Sequence, residues 1–430
     1  KEGLLPQKWM GKKIAAIKSW GGCDVDYEWQ MPGVEYWLKN MDFLTKTEKK
    51  IYSKQKSFVN LNLSIQEDRI KALKIKIKKI LNKKNKLNNI VKNQAEIINC
   101  LKKDLFKNGN KVRPRFELAP NIVKEIFLLE DKDILRYLLH RYRYDIYPQI
   151  FMMDDYPPYL QIEPTSMCNY RCVFCFQTNK DFTKKSNGYM GHMTLDIFKR
   201  TVDQVEGNIE FISLASRGEP LSCPDIEKML IYAKGKFLNL KINTNASLLN
   251  ERKSHAILQN DVRTLVFSAD AADSELYSSL RVNGKLSKVV SNIKQFKKIR
   301  EKNYPHSKII TRVSGVKVSK KQNFKVMEKF WGNLADQVAF VDYCPWENVY
   351  GSVKNTISAP CSELWRRMYV WWDGKTNPCE VDYRSKLSTG YITKKNISKL
   401  WKSVSYNKLR QDHLSKLRNT VSPCNKCSVV

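Results

Sequence analysis

Glu163-Pro-Thr-Ser-Met-Cys-Asn-Tyr-Arg-Cys-Val-Phe-Cys-Phe176 sets Cys168, Cys172 and Cys175 on one short run, with Phe174 just before the third cysteine. The spacing is Cys-x3-Cys-x2-Cys. Three thiolates on a tight loop can hold three irons of a [4Fe-4S] cube and leave the fourth iron open to bind and reduce a ligand. The alternatives for such a run are a zinc site, which usually closes with four ligands, and three unrelated buried thiols.

Outward from this loop, strand-like and helix-like stretches alternate between about residues 158 and 343. Candidate strands are Tyr159–Glu163, Ile209–Leu214, Leu238–Asn243, Thr264–Ala269, Lys308–Val313 and Gln337–Val341. Helical patterns such as Leu195–Val205 and Ile226–Lys234 lie between them. That alternation is a parallel α/β plan, and active-site groups then belong at the carboxyl ends of the strands. The cysteine loop follows the first strand. The second strand ends in Ser216-Arg-Gly-Glu-Pro220, the third in Asn243-Thr-Asn245 and the fourth in Ser268-Ala-Asp270. Arg281 closes Tyr277-Ser-Ser-Leu-Arg281, and Arg312 lies on the fifth strand. Taken singly, these are ordinary turn and capping residues or surface ion pairs.

Taken with the three cysteines, residues 155–430 resemble the radical S-adenosylmethionine (SAM) superfamily. The resemblance implies a partial (β/α)6 barrel carrying one [4Fe-4S] cluster and SAM. Cys168, Cys172 and Cys175 would be the metal ligands. Phe174, Gly218, Glu219, Pro220, Asn243, Asn245, Ser268, Asp270 and Arg281 would be the cofactor-binding set. Glu219 would face the amino group of SAM, where a carboxylate supplies charge pairing that a neutral side chain cannot. Such enzymes cleave SAM to a 5′-deoxyadenosyl radical that abstracts an unactivated hydrogen; the cofactor carries the hard step while the barrel positions it.

A second cysteine set lies toward the end. Cys361, Cys379, Cys424 and Cys427 are arranged as Cys-x12-Gly-x4-Cys, a gap, then Cys-x2-Cys. Gly374, in Trp372-Asp-Gly374, reads as a tight hairpin turn whose flanking strands bring Cys361 and Cys379 together. Four cysteines can fully ligate one [4Fe-4S] cluster; four thiolates are also a common zinc set. The pattern resembles the twitch module, a shortened relative of the SPASM domain, and Trp401 and Asn407-Lys-Leu-Arg410 fit it. A fully ligated cluster suits electron transfer, which favours net oxidation. The spacing is similar to that of radical SAM alcohol dehydrogenases of aminoglycoside biosynthesis. Their reaction needs a base, for which Arg312, Asp342 and Tyr343 are the candidates by barrel-end position.

The front of the chain differs. Residues 1–45 carry Gly21-Gly-Cys-Asp-Val-Asp-Tyr-Glu-Trp-Gln30 and weakly resemble the last strand and helix of sugar-acid cytidylyltransferases, with Asp24 and Asp26 as the matching acids. They would be the tail of a nucleotidyltransferase-like domain, or a plain capping segment. Within 46–110, residues 65–107 read as one long basic helix. Ile70, Leu73, Ile77, Ile80, Lys84, Leu87, Val91, Gln94, Ile98, Leu101 and Leu105 follow a strict three-four spacing, the seam of a coiled coil. It serves self-association, or packs within its own domain. Residues 111–155 form a helical lead-in rich in Arg and Tyr, 156–345 the barrel and 346–430 the small α+β cluster domain.

The net charge of +33 comes from 76 Lys and Arg against 43 Asp and Glu. It allows an acidic substrate or a nucleic acid, although no RNA-binding signature accompanies it. No run of 18 apolar residues exists, so no membrane span is expected. The cysteine grouping fits a reducing, cytoplasmic setting better than a disulfide framework. Cys23, Cys100, Cys223 and Cys344 read as isolated small hydrophobes.

The leading expectation is an oxidoreductase with two [4Fe-4S] clusters and SAM. It would dehydrogenate an alcohol of a sugar or cyclitol, possibly nucleotide-linked, fed by a flavodoxin- or ferredoxin-type donor. The alternatives are a peptide- or protein-modifying radical SAM enzyme, and a coiled-coil assembly or nucleic-acid-binding protein on a non-catalytic barrel that forms a homo-oligomer through the 65–107 helix.

Overall fold

The computed structural model describes residues 67–82, 92–106, 114–351 and 354–429. The nucleotidyltransferase-like tail expected over 1–45 lies outside the described residues. Four helices come first: α1 (Glu67–Asn82), α2 (Lys92–Phe106), α3 (Pro120–Phe127) and α4 (Asp131–Asp145). The barrel follows as β1 (Tyr159–Ile162), β2 (Arg171–Cys172), α5 (Leu195–Val205), β3 (Phe211–Leu214), α6 (Ile226–Ala233), β4 (Asn239–Thr244), α7 (Glu251–Gln259) and β5 (Val262–Ser268). It continues as α8 (Ser274–Leu280), β6 (Arg281–Val282), α9 (Leu286–Asn303), β7 (Ile310–Lys317), α10 (Phe324–Gly332) and β8 (Gln337–Asp342). The last module holds β9 (Arg367–Val370), β10 (Lys375–Asn377), β11 (Gly390–Tyr391), α11 (Ile397–Trp401) and α12 (Val404–Leu414).

All six expected strands are present, and they pair in parallel in the order β1-β3-β4-β5-β7-β8. The sheet does not stop at β1. β9 adds to its other edge in parallel, with Tyr159 opposite Arg367, and β10 and β11 extend it antiparallel. The C-terminal module therefore continues the barrel sheet instead of hanging from it. Side-chain hydroxyls, amides and carboxylates start the outer helices: Thr194 accepts from Ile197 N, Asn250 from Lys253 N, Asp273 from Leu276 N and Asn323 from Val326 N. Each satisfies a backbone donor that the helix start would leave bare.

The strands bury alternate faces differently. On β4, Leu240 and Ile242 are buried toward the helix layer, while Asn239, Lys241 and Asn243 line a cavity inside the barrel. On β7, Val313 is fully buried and Arg312 and Val316 line that cavity. A period of two that sends apolar side chains outward and polar ones inward gives a polar lumen walled by a dry outer layer.

The single helix expected over 65–107 needs correction, and its seam residues Lys84, Leu87 and Val91 lie outside the described residues. Described residues there form two helices, α1 and α2, and their seam is used inside the chain. Leu73, Ile77, Ile98 and Leu101 are at most 4% exposed, in one core with Ile122, Ile126, Leu138 and Tyr142. Packing against α3 and α4 covers the described part of the apolar face. Helix α4 in turn lies across the amino ends of the strands. His140 stacks on Phe211 at 3.9 Å, Tyr144 lies 5.8 Å from Tyr159, and Arg136 pairs with Glu210 at 2.6 Å. The Arg- and Tyr-rich segment thus floors the barrel.

Candidate active site

The cysteine loop leaves β1 and turns back through β2, which pairs antiparallel with β6 so that Cys172 stands opposite Arg281. Cys168, Cys172 and Cys175 line one cavity of about 400 Å³ together with Phe174. Burial pushes the Cys168 thiol up to about 12 and raises those of Cys172 and Cys175. Donors nevertheless point at the sulfurs: Tyr170 N lies 3.4 Å from Cys168 Sγ, and Arg281 Nη1 lies 3.7 Å from Cys172 Sγ. Such donors stabilise thiolate and tune a cluster.

The strand ends carry the expected motifs into the same place. Gly218 presses on the cysteine loop, where a Cβ would collide with the carbonyls of Thr165 and Met167. Ser216 beside it holds φ 122°, a strained conformation of the kind that clusters at functional sites. Glu219 is buried and accepts from Thr244 Oγ1 at 2.6 Å, Asn245 N at 2.7 Å and Leu221 N at 3.1 Å. Burial raises its pKa, and those three donors oppose the rise. Its carboxylate therefore ties the second strand end to the third. Asn245 continues the tie through Asn169, at 3.0 Å, to the cysteine loop itself.

Asn243 Oδ1 and Ser216 Oγ are buried without a partner among the described residues, and both residues line the cavity. Orphaned polar atoms are rare in a finished core, so these two fit a bound polar cofactor. Gly218, Ser268, Arg281 and Arg312 also line the cavity; Asp270 and Pro220 do not. Asp270 instead pairs with Arg281 at 2.6 Å and accepts from Val316 N at 2.6 Å, fully buried. Burial works against the Arg281 charge, and Asp270 more than restores it. The pair holds the guanidinium beside Cys172, with Arg281 still lining the cavity. Two base candidates fall elsewhere. Asp342 is paired with Lys317 at 2.9 Å, and Tyr343 is exposed and bonded to Glu347. Neither lines the cavity. Arg312 does line it, with Nε donating to Gln337 Oε1 at 2.8 Å.

The cysteines of the second set lie near enough to influence one another electrostatically. The β9–β10 hairpin turns at Gly374, φ 79°, with Gly374 N donating to Trp371 O. Burial raises the thiol pKa values of Cys361, Cys379 and Cys424; Cys361 adds to the rise at Cys379, Cys424 and Cys427, and Cys379 to that at Cys427. Val381 N points at Cys379 Sγ from 3.3 Å. Among the described residues no three metal-binding side chains converge on one ion-sized point; a four-iron cube instead needs its thiolates spread around a wider body. Arg410 stacks on Trp401 at 4.1 Å and bonds Asn407 Oδ1 at 2.9 Å, so that motif is a buttress for the module. Cys344, expected to be an isolated hydrophobe, has its sulfur 3.2 Å from Ser428 Oγ and is the largest cause of the raised Cys427 pKa.

One apolar cluster touches both cysteine sets: Phe176, Phe182, Val381, Tyr383 and Cys427 form it, and Cys175 and Cys379 pack against it. A buried ion pair locks the junction: Arg217 Nη2 and Nε lie 2.6 and 2.7 Å from Glu163, and Arg217 Nη1 donates to Tyr383 O at 2.9 Å. Sequence reasoning passed over this pair and also over Lys241, Arg367 and Glu380, which line the cavity below the strand ends. The one available signal was polar residues at alternate positions of strands whose other positions are aliphatic.

The fold is a partial parallel barrel with one cysteine set lining a strand-end cavity and a second set in the C-terminal module. Residues 162–315 match the radical SAM superfamily and residues 361–428 match SPASM, an iron-sulfur cluster-binding domain. The chain carries a radical SAM domain followed by an SPASM domain. The first binds SAM and a [4Fe-4S] cluster, and the second binds further iron-sulfur. Among curated relatives, an AdoMet-dependent heme synthase of Methanosarcina barkeri is 27% identical over 147 residues, covering 34% of this chain and 41% of that protein. The antilisterial bacteriocin subtilosin biosynthesis protein AlbA of Bacillus subtilis is 25% identical over 126 residues, covering 29% and 27%. The chain spans about two fifths or less of these relatives. The crystal structure of BtrN in complex with AdoMet and 2-DOIA is 16% identical with a TM-score of 0.44, covering 65% of this chain and 95% of that one. No described helix is long and apolar enough to cross a membrane.

Proposed function

We propose that this chain is a SAM-cleaving oxidoreductase that dehydrogenates an alcohol of a small molecule, a sugar or cyclitol, and passes the electron to the C-terminal cysteine site. One observation carries the reading. The lumen below Cys168, Cys172 and Cys175 is also lined by Glu380, the residue after Cys379, which accepts from Gln161 Nε2 at 2.8 Å. A substrate there has the radical-generating loop at one end and the auxiliary site at its flank.

Cys168, Cys172 and Cys175 would hold the SAM cluster, and Cys361, Cys379, Cys424 and Cys427 the auxiliary one. When bound, the first cluster and SAM supply a 5′-deoxyadenosyl radical that takes a hydrogen from the substrate. Asn243 and Ser216 offer polar atoms to SAM, and Glu219 holds their loops in register. The α4 floor closes the lumen at the amino ends of the strands, the side away from the cysteine loop. The four-cysteine spacing resembles that of 2-deoxy-scyllo-inosamine dehydrogenase, which supports oxidation over isomerisation. The match to AlbA favours a second reading, in which the substrate is a peptide.

Anaerobic reconstitution with iron counting tests the first part. About eight irons per chain, as two four-iron clusters require, and 5′-deoxyadenosine from SAM plus reductant are the expected results. Cys168→Ala should abolish SAM cleavage. Cys424→Ala should largely spare cleavage and stop net oxidation. About four irons would sink the electron-acceptor role. Turnover of peptides and not of sugar alcohols would replace the leading reading with the second.

A further inference from the structure

The lower lumen carries charge that cofactor binding does not use. Of the charged side chains lining the cavity, six are basic and three acidic. Arg141, Arg217 and Arg281 have carboxylate partners in Asp145, Glu163 and Asp270. Lys241 is different. It projects from the middle of β4, two residues or about 7 Å below Asn243, and among the described residues its ammonium has no hydrogen-bond or ion-pair partner. Arg312 and Arg367 add positive potential around it, against Glu380. Arg367 is anchored by Tyr144 Oη at 2.8 Å and Glu363 at 3.2 Å, and Arg312 by Gln337.

An amine held in such a place costs stability. Burial, followed by the two arginines, lowers its pKa from 10.5 to about 7. A folded protein keeps an arrangement of this kind where a ligand of opposite charge repays it. The floor made by His140 and Tyr144 lies beneath, so a ligand anchored here extends toward the cysteine loop.

We propose that Lys241, flanked by Arg312 and Arg367, is an anion subsite that holds a carboxylate or phosphate of the substrate at the closed end of the lumen. The reacting carbon then lies above it, within reach of the strand ends. The assignment deepens the enzymatic reading and rests on it: the substrate class narrows to small anionic molecules, phosphorylated or carboxylated, whose far end reacts.

The test uses the reconstituted full chain and two probes, inorganic phosphate and succinate, with sodium chloride holding ionic strength constant. Dissociation constants come from the shift of thermal unfolding with probe concentration. At least one probe should stabilise the wild type. Phosphate alone points to a phosphorylated substrate, and succinate alone to a carboxylated one. Lys241→Met should weaken that binding at least tenfold and raise the melting temperature in anion-free buffer, while Lys241→Arg should retain binding within about threefold. Arg312→Gln is a second variant with the same expected weakening should Lys241→Met fail to fold. Stabilisation no greater than chloride gives, or unchanged in both variants, overturns the subsite. Wild-type SAM cleavage without anion binding would remove the subsite and leave the enzymatic reading standing. Anion binding without SAM cleavage would do the reverse.

Discussion

At the residue scale, two buried charges have opposite fates. Glu163 and Arg217 are both nearly inaccessible, and their two-pronged contact at 2.6 and 2.7 Å satisfies each. Removing one charge leaves the other bare, which costs about 3–5 kcal/mol. Glu163→Gln should therefore lose about that much in urea unfolding of the metal-free chain, and a loss below about 1 kcal/mol, the range of exposed pairs, would mean the pair is wet. Lys241 has no such partner. Its folded pKa of about 7 lies below its ordinary 10.5. Between those values the unfolded chain holds a proton that the folded chain has released, so stability rises with pH across the window. The penalty is complete below pH 7 and relieved toward 10.5. Arg312, Arg367, Glu380 and, from the α3 side, Glu125 are the charged groups facing the amine. In anion-free buffer, the melting-temperature advantage of Lys241→Met over wild type should be largest near pH 6 and shrink toward pH 10. An advantage that does not change with pH would show that the amine titrates normally.

At the element scale, legibility followed sequence distance. The cysteine loop, the six barrel strands and the turn at Gly374 were legible because each is a local pattern: a spacing, a β-rich run or a tight turn. The seam of α1 and α2 was legible as apolar, but its partner was not. A three-four spacing says that one helix face wants cover, and only the fold shows that α3 and α4 supply it. The lumen was the least legible part. Lys241, Arg312, Arg367 and Glu380 stand on different strands or turns, and barrel curvature alone brings them to one cavity. Asp342 and Tyr343, chosen from the end of the last strand, do not line that cavity. The buried seam makes its own prediction. Ile77 is fully buried, so Ile77→Ala should cost about 2–5 kcal/mol, read as a lower urea midpoint. The mass from light scattering should not change. A shift in oligomer size without loss of stability would return the seam to self-association.

At the scale of the whole molecule, the continuous sheet joins the two cluster modules. Strand β9 donates and accepts along β1, from Tyr159–Arg367 to Ile162–Val370, and Glu163 N then bonds Val370 O at 2.9 Å. The residue that opens the cysteine loop is thus fixed by a strand of the auxiliary module. Trp372 strengthens the link from the other side, its Nε1 donating to Tyr189 O at 3.0 Å and its backbone N pointing at Glu163 Oε1 from 3.3 Å. Ending the chain after residue 345 would strip β9 from β1 and expose a flat apolar edge, which invites association. It would also take Tyr383 O from Arg217. Such a truncation should be poorly soluble, unfold without a cooperative transition and retain no stable SAM cluster. Cys424→Ala, which keeps every strand, should unfold cooperatively and keep the first cluster. Circular dichroism melts and iron content of the two proteins, side by side, separate the sheet's contribution from that of the auxiliary metal. If the truncated chain melts cooperatively and still binds four irons, the barrel is an independent unit, and the shared sheet only positions the second module.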